Sequence, residues 1–213
     1  MKFRIDLKIL IFLLIFYLTN QLDVYIIIMI FCLMHELGHL IVGIFLKFKP
    51  TEMEIMPLGF FITLKQNTED YNKKILKSNI IEVKKIFVLL AGPIVNLIMI
   101  YIFLNKDIML INRDVGVYSN LIIFLFNLIP IYPLDGARIL NSIIKLLCGN
   151  KKANKYIYQI SNFSVILLTM ISSIAIFYLK NISILFILIY LWYLTYSENK
   201  KNKIKEKIYE SIS

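Results

Sequence analysis

Long apolar runs, separated by short polar or charged stretches, make up most of this chain. A run over residues 9–19, starting as early as Ile5, predicts a first membrane helix, and Asn20, Gln21 and Asp23 make a tight turn after it. The second run covers about 22–46 and ends at Lys47, Lys49 and Pro50, where proline blocks continuation of a helix. Residues 51–85 form the longest polar connection. Its first part, TEMEIMPLGFFITLKQ, has strand-forming residues around a Pro57/Gly59 turn signal, which predicts a short β-hairpin or a re-entrant loop. Its second part, EDYNKKILKSNIIEVKK, is basic and loosely amphipathic and predicts an interfacial helix. A third run spans about 86–104, followed by a loop over 105–116. The fourth, from near Val117 to Leu147, is broken by NLIPIYPLDGAR, residues 127–138. Two more runs, 161–179 and 182–196, flank Lys180-Asn181. The tail 197–213 is basic, and Ile204, Ile208 and Ile212 recur at helical spacing along it.

The expected fold is therefore an all-α polytopic membrane protein. It has about six transmembrane helices and a short β-hairpin or re-entrant loop after the second. Residues 1–196 form one domain, with a core over about 22–147, and 197–213 a basic cytosolic tail. Composition agrees: of 213 residues 59% are hydrophobic, and the mean hydropathy is +0.73. No cleavable signal peptide is expected, because the first run has no small-residue cleavage site and reads as an anchor. The net charge of +10 would suggest nucleic acid in a soluble protein. Here it follows membrane topology instead. With six spans and the N-terminus inside, 21 Lys and Arg residues fall on the cytosolic side and only Lys106, Arg113 and Lys180 outside. Both termini are then cytosolic in a multi-pass cell-membrane protein, and no nucleic-acid partner is expected. The two cysteines, Cys32 and Cys148, are far apart and give neither a disulfide framework nor a metal site, and Cys32 reads as a small core residue.

The chemistry lies in the second run, at FCLMHELGHLIVG, residues Phe31 to Gly43. His35 and His39, the only histidines, are four residues apart and share one helix face, with a rise between them of about 6 Å. That spacing lets both reach one zinc ion, and Glu36 beside the first ligand is placed as general base. Ionisable groups at mid-span are costly in hydrocarbon, which argues against a plain membrane helix with incidental polar residues. A catalytic zinc takes three protein ligands and leaves one position for water. With no histidine left, the third ligand should be an acid at matching depth. Asp135, in the broken fourth run, lies ten residues before Lys145, and His39 eight before Lys47. Both are then ~12–15 Å from the cytosolic ends of helices running the same way. Asn127 and Asn96 are amides within apolar runs. Each is a candidate for orienting substrate or stabilising an oxyanion, or else simply bonds between helices.

HELGH in the second run, AGPIVN (Ala91 to Asn96) in the third and NLIPIYPLDG in the fourth resemble the site-2 protease family of intramembrane zinc metalloproteases. PIYPLDG and the short IMPLGFF loop are most similar to its stage IV sporulation branch, which processes pro-sigma-K, here without that branch's CBS domain. The resemblance implies His35, His39 and Asp135 as zinc ligands, Glu36 as base and a role in catalysis or substrate handling for Asn127. It also implies a membrane-tethered protein substrate, a sigma-factor precursor in particular, with membrane-protein regulators as possible further partners. A zinc or ion transporter with an intramembrane metal site is the alternative. Against it, a transporter needs no base beside its first ligand, and no inverted repeat is visible.

Overall fold

The computed structural model describes residues 2–65, 76–106, 108 and 110–212. The chain divides into two compact units, Met1–Asn127 and Leu128–Ser213. The first opens on β1 (Lys2–Ile5) and a short apolar helix α1 (Lys8–Leu18), followed by α2 (Leu22–Phe45). The hairpin β2 (Lys49–Met56) and β3 (Gly59–Lys65) comes next, then α3 (Leu76–Asn105) and α4 (Arg113–Leu128).

Single residues in the left-handed region, each followed by local backbone pairing, stop the first two helices. Asn20 and Lys47 adopt φ of 54° and 68°. Gln21 N–H then reaches Phe16 O and Asn20 N–H reaches Tyr17 O, and Phe48 and Lys47 likewise reach Gly43 O and Ile44 O. Each helix end thus satisfies its last carbonyls through a left-handed cap, with Asn and Lys where glycine is commoner.

α2 is inverted relative to a helix of a water-soluble protein. His35, Gly38, His39 and Gly43 are buried, while Ile26, Ile30, Met34, Leu37, Ile41 and Ile44 are exposed at three- and four-residue intervals. A polar face turned inward and an aliphatic face turned outward suit hydrocarbon as the solvent. α2, α3 from Asn79 and a helix of the second unit over Lys152–Tyr178 are long and apolar enough to cross a membrane. α1, with 11 residues, is shorter than a full span.

The predicted hairpin is present. Met56 pairs with Gly59 around Pro57-Leu58, and the φ of +137° at Gly59 is one that side chains avoid. The hairpin lies along α2. Tyr25 OH donates to Pro57 O at 2.8 Å, the Cys32 side chain abuts Gly59, and Leu64 fills the space over Gly43. The two rises agree: Gly59 to Leu64 is ~17 Å of strand, and Cys32 to Gly43 is ~16 Å of helix. β3 therefore passes at the level of His35 and His39. The sequence pattern did not foresee β1, which pairs in parallel with β2, Lys2 opposite Glu52 through Ile5 opposite Ile55. The sheet order is β1-β2-β3, which leaves β3 as an edge.

The expected interfacial helix and third span are continuous: from Leu76, α3 runs unbroken to Asn105, with Pro93 inside it. Residues 66–75, which take in the earlier part (69–75) of the predicted amphipathic segment, lie outside the described residues. α3 packs closely on α2, with Gly38 facing the Ala91 carbonyl and Val95.

The second unit holds α5 (Asp135–Cys148), α6 (Asn150–Leu179) and α7 (Ser183–Ile212). The predicted break lies before α5. Tyr132 fixes it three times: its N–H donates to Ser161 Oγ at 3.0 Å, its carbonyl accepts from Thr195 Oγ1 at 3.4 Å, and its hydroxyl accepts from Asn141 Nδ2 at 2.8 Å. Gly136 closes the turn, since a β-carbon there would collide with the Leu128 carbonyl. Ala153, Ile157, Ser161 and Val165 form the buried stripe of α6. The basic tail continues α7 as helix to Ile212.

Candidate metal centre

His35 and His39 stand one turn apart on the buried face of α2, at 2% and 5% exposure. Their Nε2 atoms are 3.1 Å apart and their rings cross edge to face at 85°. The far nitrogens are held by α3. His39 Nδ1 lies 2.7 Å from Val88 O, which can only accept, so Nδ1 carries the proton and Nε2 is unprotonated. The Gly92 N–H, 3.3 Å from the same nitrogen, belongs to the same helix turn. We take the shorter contact as the hydrogen bond, because one nitrogen cannot both donate and accept. His35 Nδ1 bonds to Asn96 Oδ1 and is likewise a donor.

Two imidazoles thus present lone pairs to one point. Tetrahedral ligands at zinc–nitrogen distances of ~2.0–2.1 Å lie about 3.3 Å apart, close to the observed separation. The space in front of them is kept by Gly92, where a β-carbon would sit 2.5 Å from Nε2 of both rings. Glu36 is half-buried on the same helix, next to His35. Asp135, the first residue of α5 in the second unit, is buried at 6% exposure and adds a carboxylate oxygen to the donor types offered by His35 and His39. Two imidazoles and a carboxylate are a donor set that fits a divalent metal.

Asn96 faces this site, 1% exposed, with both ends of its amide engaged: Oδ1 with His35, and Nδ2 donating to Asn120 Oδ1 at 3.1 Å. Asn127 lies in the last turn of α4, half-buried, two turns beyond Asn120 and outside this hydrogen-bond chain. Asn120 and Gly92 were not singled out from the sequence. Gly92 lies inside the AGPIVN motif, which was its signal; Asn120 had none beyond being an amide in an apolar run.

A buried pair of histidines with their Nε2 atoms turned toward each other, an acid next to the first in sequence, and an aliphatic outer surface are features shared with metal-dependent hydrolases of the HExxH class. The chain belongs to peptidase family M50, whose model matches residues 24–111 and 114–171. It is similar to stage IV sporulation protein FB of Bacillus subtilis (strain 168), at 24% identity over 127 residues. That match takes in 58% of this chain and 41% of the relative, so the chain spans less than half of the relative's length. The site-2 protease from Methanocaldococcus jannaschii has the same fold, with a TM-score of 0.67 at 22% identity, covering 93% of this chain and 91% of that one.

Proposed function

We propose that this chain is an intramembrane zinc protease that hydrolyses a peptide bond within or near the membrane segment of a tethered protein. The observation that carries the reading is the pair of Nε2 atoms 3.1 Å apart on the inward face of an apolar helix, with half-buried Glu36 next to His35 in sequence. His35 and His39 hold the metal with Asp135 as third ligand. Matching helix depth, burial and the family match support that assignment. Bound there, zinc would acidify a water molecule and polarise the scissile carbonyl.

The rest of the chemistry falls to the chain. Glu36 takes the proton of the attacking water and returns it to the amide nitrogen that leaves. A helical substrate hides its carbonyls in its own hydrogen bonds, so it has to unwind. The edge of β3, alongside α2, offers backbone partners to an extended segment. Asn127 is assigned to substrate handling, as the resemblance implies. Six spans with both termini in the cytosol are the topology we assign, from the distribution of Lys and Arg. Similarity to a stage IV sporulation protein supports sporulation as the context and a sigma-factor precursor as the first substrate to try.

The test is co-expression of the chain, wild type and Glu36→Gln, with a tagged membrane-tethered sigma-factor precursor. A shorter product is expected from wild type alone, with the variant down by ~10²–10⁴-fold while zinc stays bound. Equal cleavage by both would sink the assignment of Glu36. No cleavage by either, with one zinc per chain, would reject that substrate but not the metal site.

A further inference from the structure

We propose that Asn96 and Asn120 form a one-way hydrogen-bond relay that fixes the tautomer of His35 and so keeps its Nε2 open to metal. This rests on the reading of His35 as a metal ligand.

The relay begins at a group that cannot reverse. The Gly116 carbonyl only accepts, and Asn120 Nδ2 donates to it at 2.9 Å. The other end of the Asn120 amide is therefore its oxygen, which accepts from Asn96 Nδ2 at 3.1 Å. That turns Asn96 Oδ1 toward His35, and His35 Nδ1 must supply the proton. Each step leaves the next residue one orientation. The direction set by a backbone carbonyl on α4 arrives at α2 as an unprotonated Nε2. Both amides are 1% exposed, so water does not compete for these bonds.

The need for such a device follows from the 3.1 Å between the two Nε2 atoms. Without metal, two neutral imidazoles at that distance gain by sharing a proton, Nε2–H of one donating to Nε2 of the other. His39 is barred from donating by Val88 O, which holds its proton on Nδ1. His35 is the ring that could switch, and the relay bars it. If it switched, Asn96 and Asn120 would both have to flip, and an amide oxygen would then face the Gly116 carbonyl. The site is thus kept in its metal-accepting form before the metal arrives. Asn96 and Asn120 are positioning residues, acting through His35.

Two histidines in the whole chain make the test direct. The full-length protein, ¹⁵N-labelled at histidine and stripped of metal, is measured by NMR about two pH units above the ordinary imidazole pKa of ~6.5. Both rings of wild type should show a protonated Nδ1 and a bare Nε2. A wild-type spectrum with the proton on Nε2 of His35 overturns the proposal, whatever the variants do. In Asn120→Leu, His35 should move its proton to Nε2 while His39 stays unchanged, and zinc Kd should rise by about 10–100-fold, the usual effect of losing an outer-shell partner. Adding Asn96→Asp should restore the wild-type tautomer and affinity, because a carboxylate at 96 accepts from Nδ1–H with no partner at 120. If Asn120→Leu binds zinc as tightly as wild type with an unchanged spectrum, the relay is refuted. Unrescued loss in the double variant also refutes it, as a packing effect. Because the spectrum is taken without metal, this proposal can fail while zinc binding and Glu36-dependent cleavage both hold.

Discussion

At position 92 of α3 the absence of a side chain is the functional feature. A methyl group there would press against Nε2 of both histidines, 2.5 Å from each. Gly92→Ala should leave the helix intact, since alanine is the better helix former. It should weaken zinc binding more than ~100-fold, beyond the loss of an outer-shell partner. Metal analysis of the purified variant beside its circular dichroism spectrum checks both halves, and full zinc occupancy would show that the cradle lies elsewhere. The pairing of His35 with His39 is legible in the sequence because its geometry is local: four residues on one helix bring two side chains to one face. Asp135 is chosen as the third candidate by counting residues from charged ends. Gly92 and Asn120 are not legible in either way, because what they do depends on which residues of α2 face α3 and α4. The spacing within a single segment carries no information about that. Asn96 stands out in the sequence for its polarity, as a candidate for substrate or oxyanion contacts or for bonding between helices, and its two amide ends lie against His35 on α2 and Asn120 on α4.

Among the elements, the broken segment before α5 shows how a run of prolines and a glycine becomes a defined turn. Ser161, Thr195 and Asn141 hold Tyr132 from three helices, and Gly136 lies against the Leu128 carbonyl. A backbone carbonyl cannot rotate away as a side chain can. Gly136→Ala should therefore destabilise the protein by about 2 kcal/mol or more, and also displace Asp135. A lower unfolding temperature together with weaker zinc binding is expected, and a variant as stable as wild type would contradict the close approach. The break was visible in the sequence because Pro130, Pro133 and Gly136 interrupt an otherwise apolar run. The hairpin was visible through Pro57 and Gly59. β1 was not, since KFRI lies against the first apolar run and pairs with a strand about fifty residues away. Pairing at that distance leaves no local mark.

For the molecule as a whole, hydropathy settled the class early, because in hydrocarbon only closed backbone structures persist and long apolar runs must be helices. The distribution of Lys and Arg makes a further prediction at this scale. Reporters fused at either terminus should both read as cytosolic, and an extracytoplasmic reading at one end would require an odd number of crossings. Mechanically, α3 is the element to watch. Its first turns, with Ile80, Glu82, Lys84 and Lys85, precede the apolar stretch, and the same unbroken helix then presents Val88, Gly92 and Asn96 to the two histidines. A helix transmits tilt along its length. Leaning its front by only a few degrees over the ~18 Å from Leu76 to Val88 moves the carbonyl that grips His39 by about 1 Å, a displacement that can cost ~10²-fold in rate. Anything that grasps the polar end of α3 holds a throttle on the reaction without entering the bilayer.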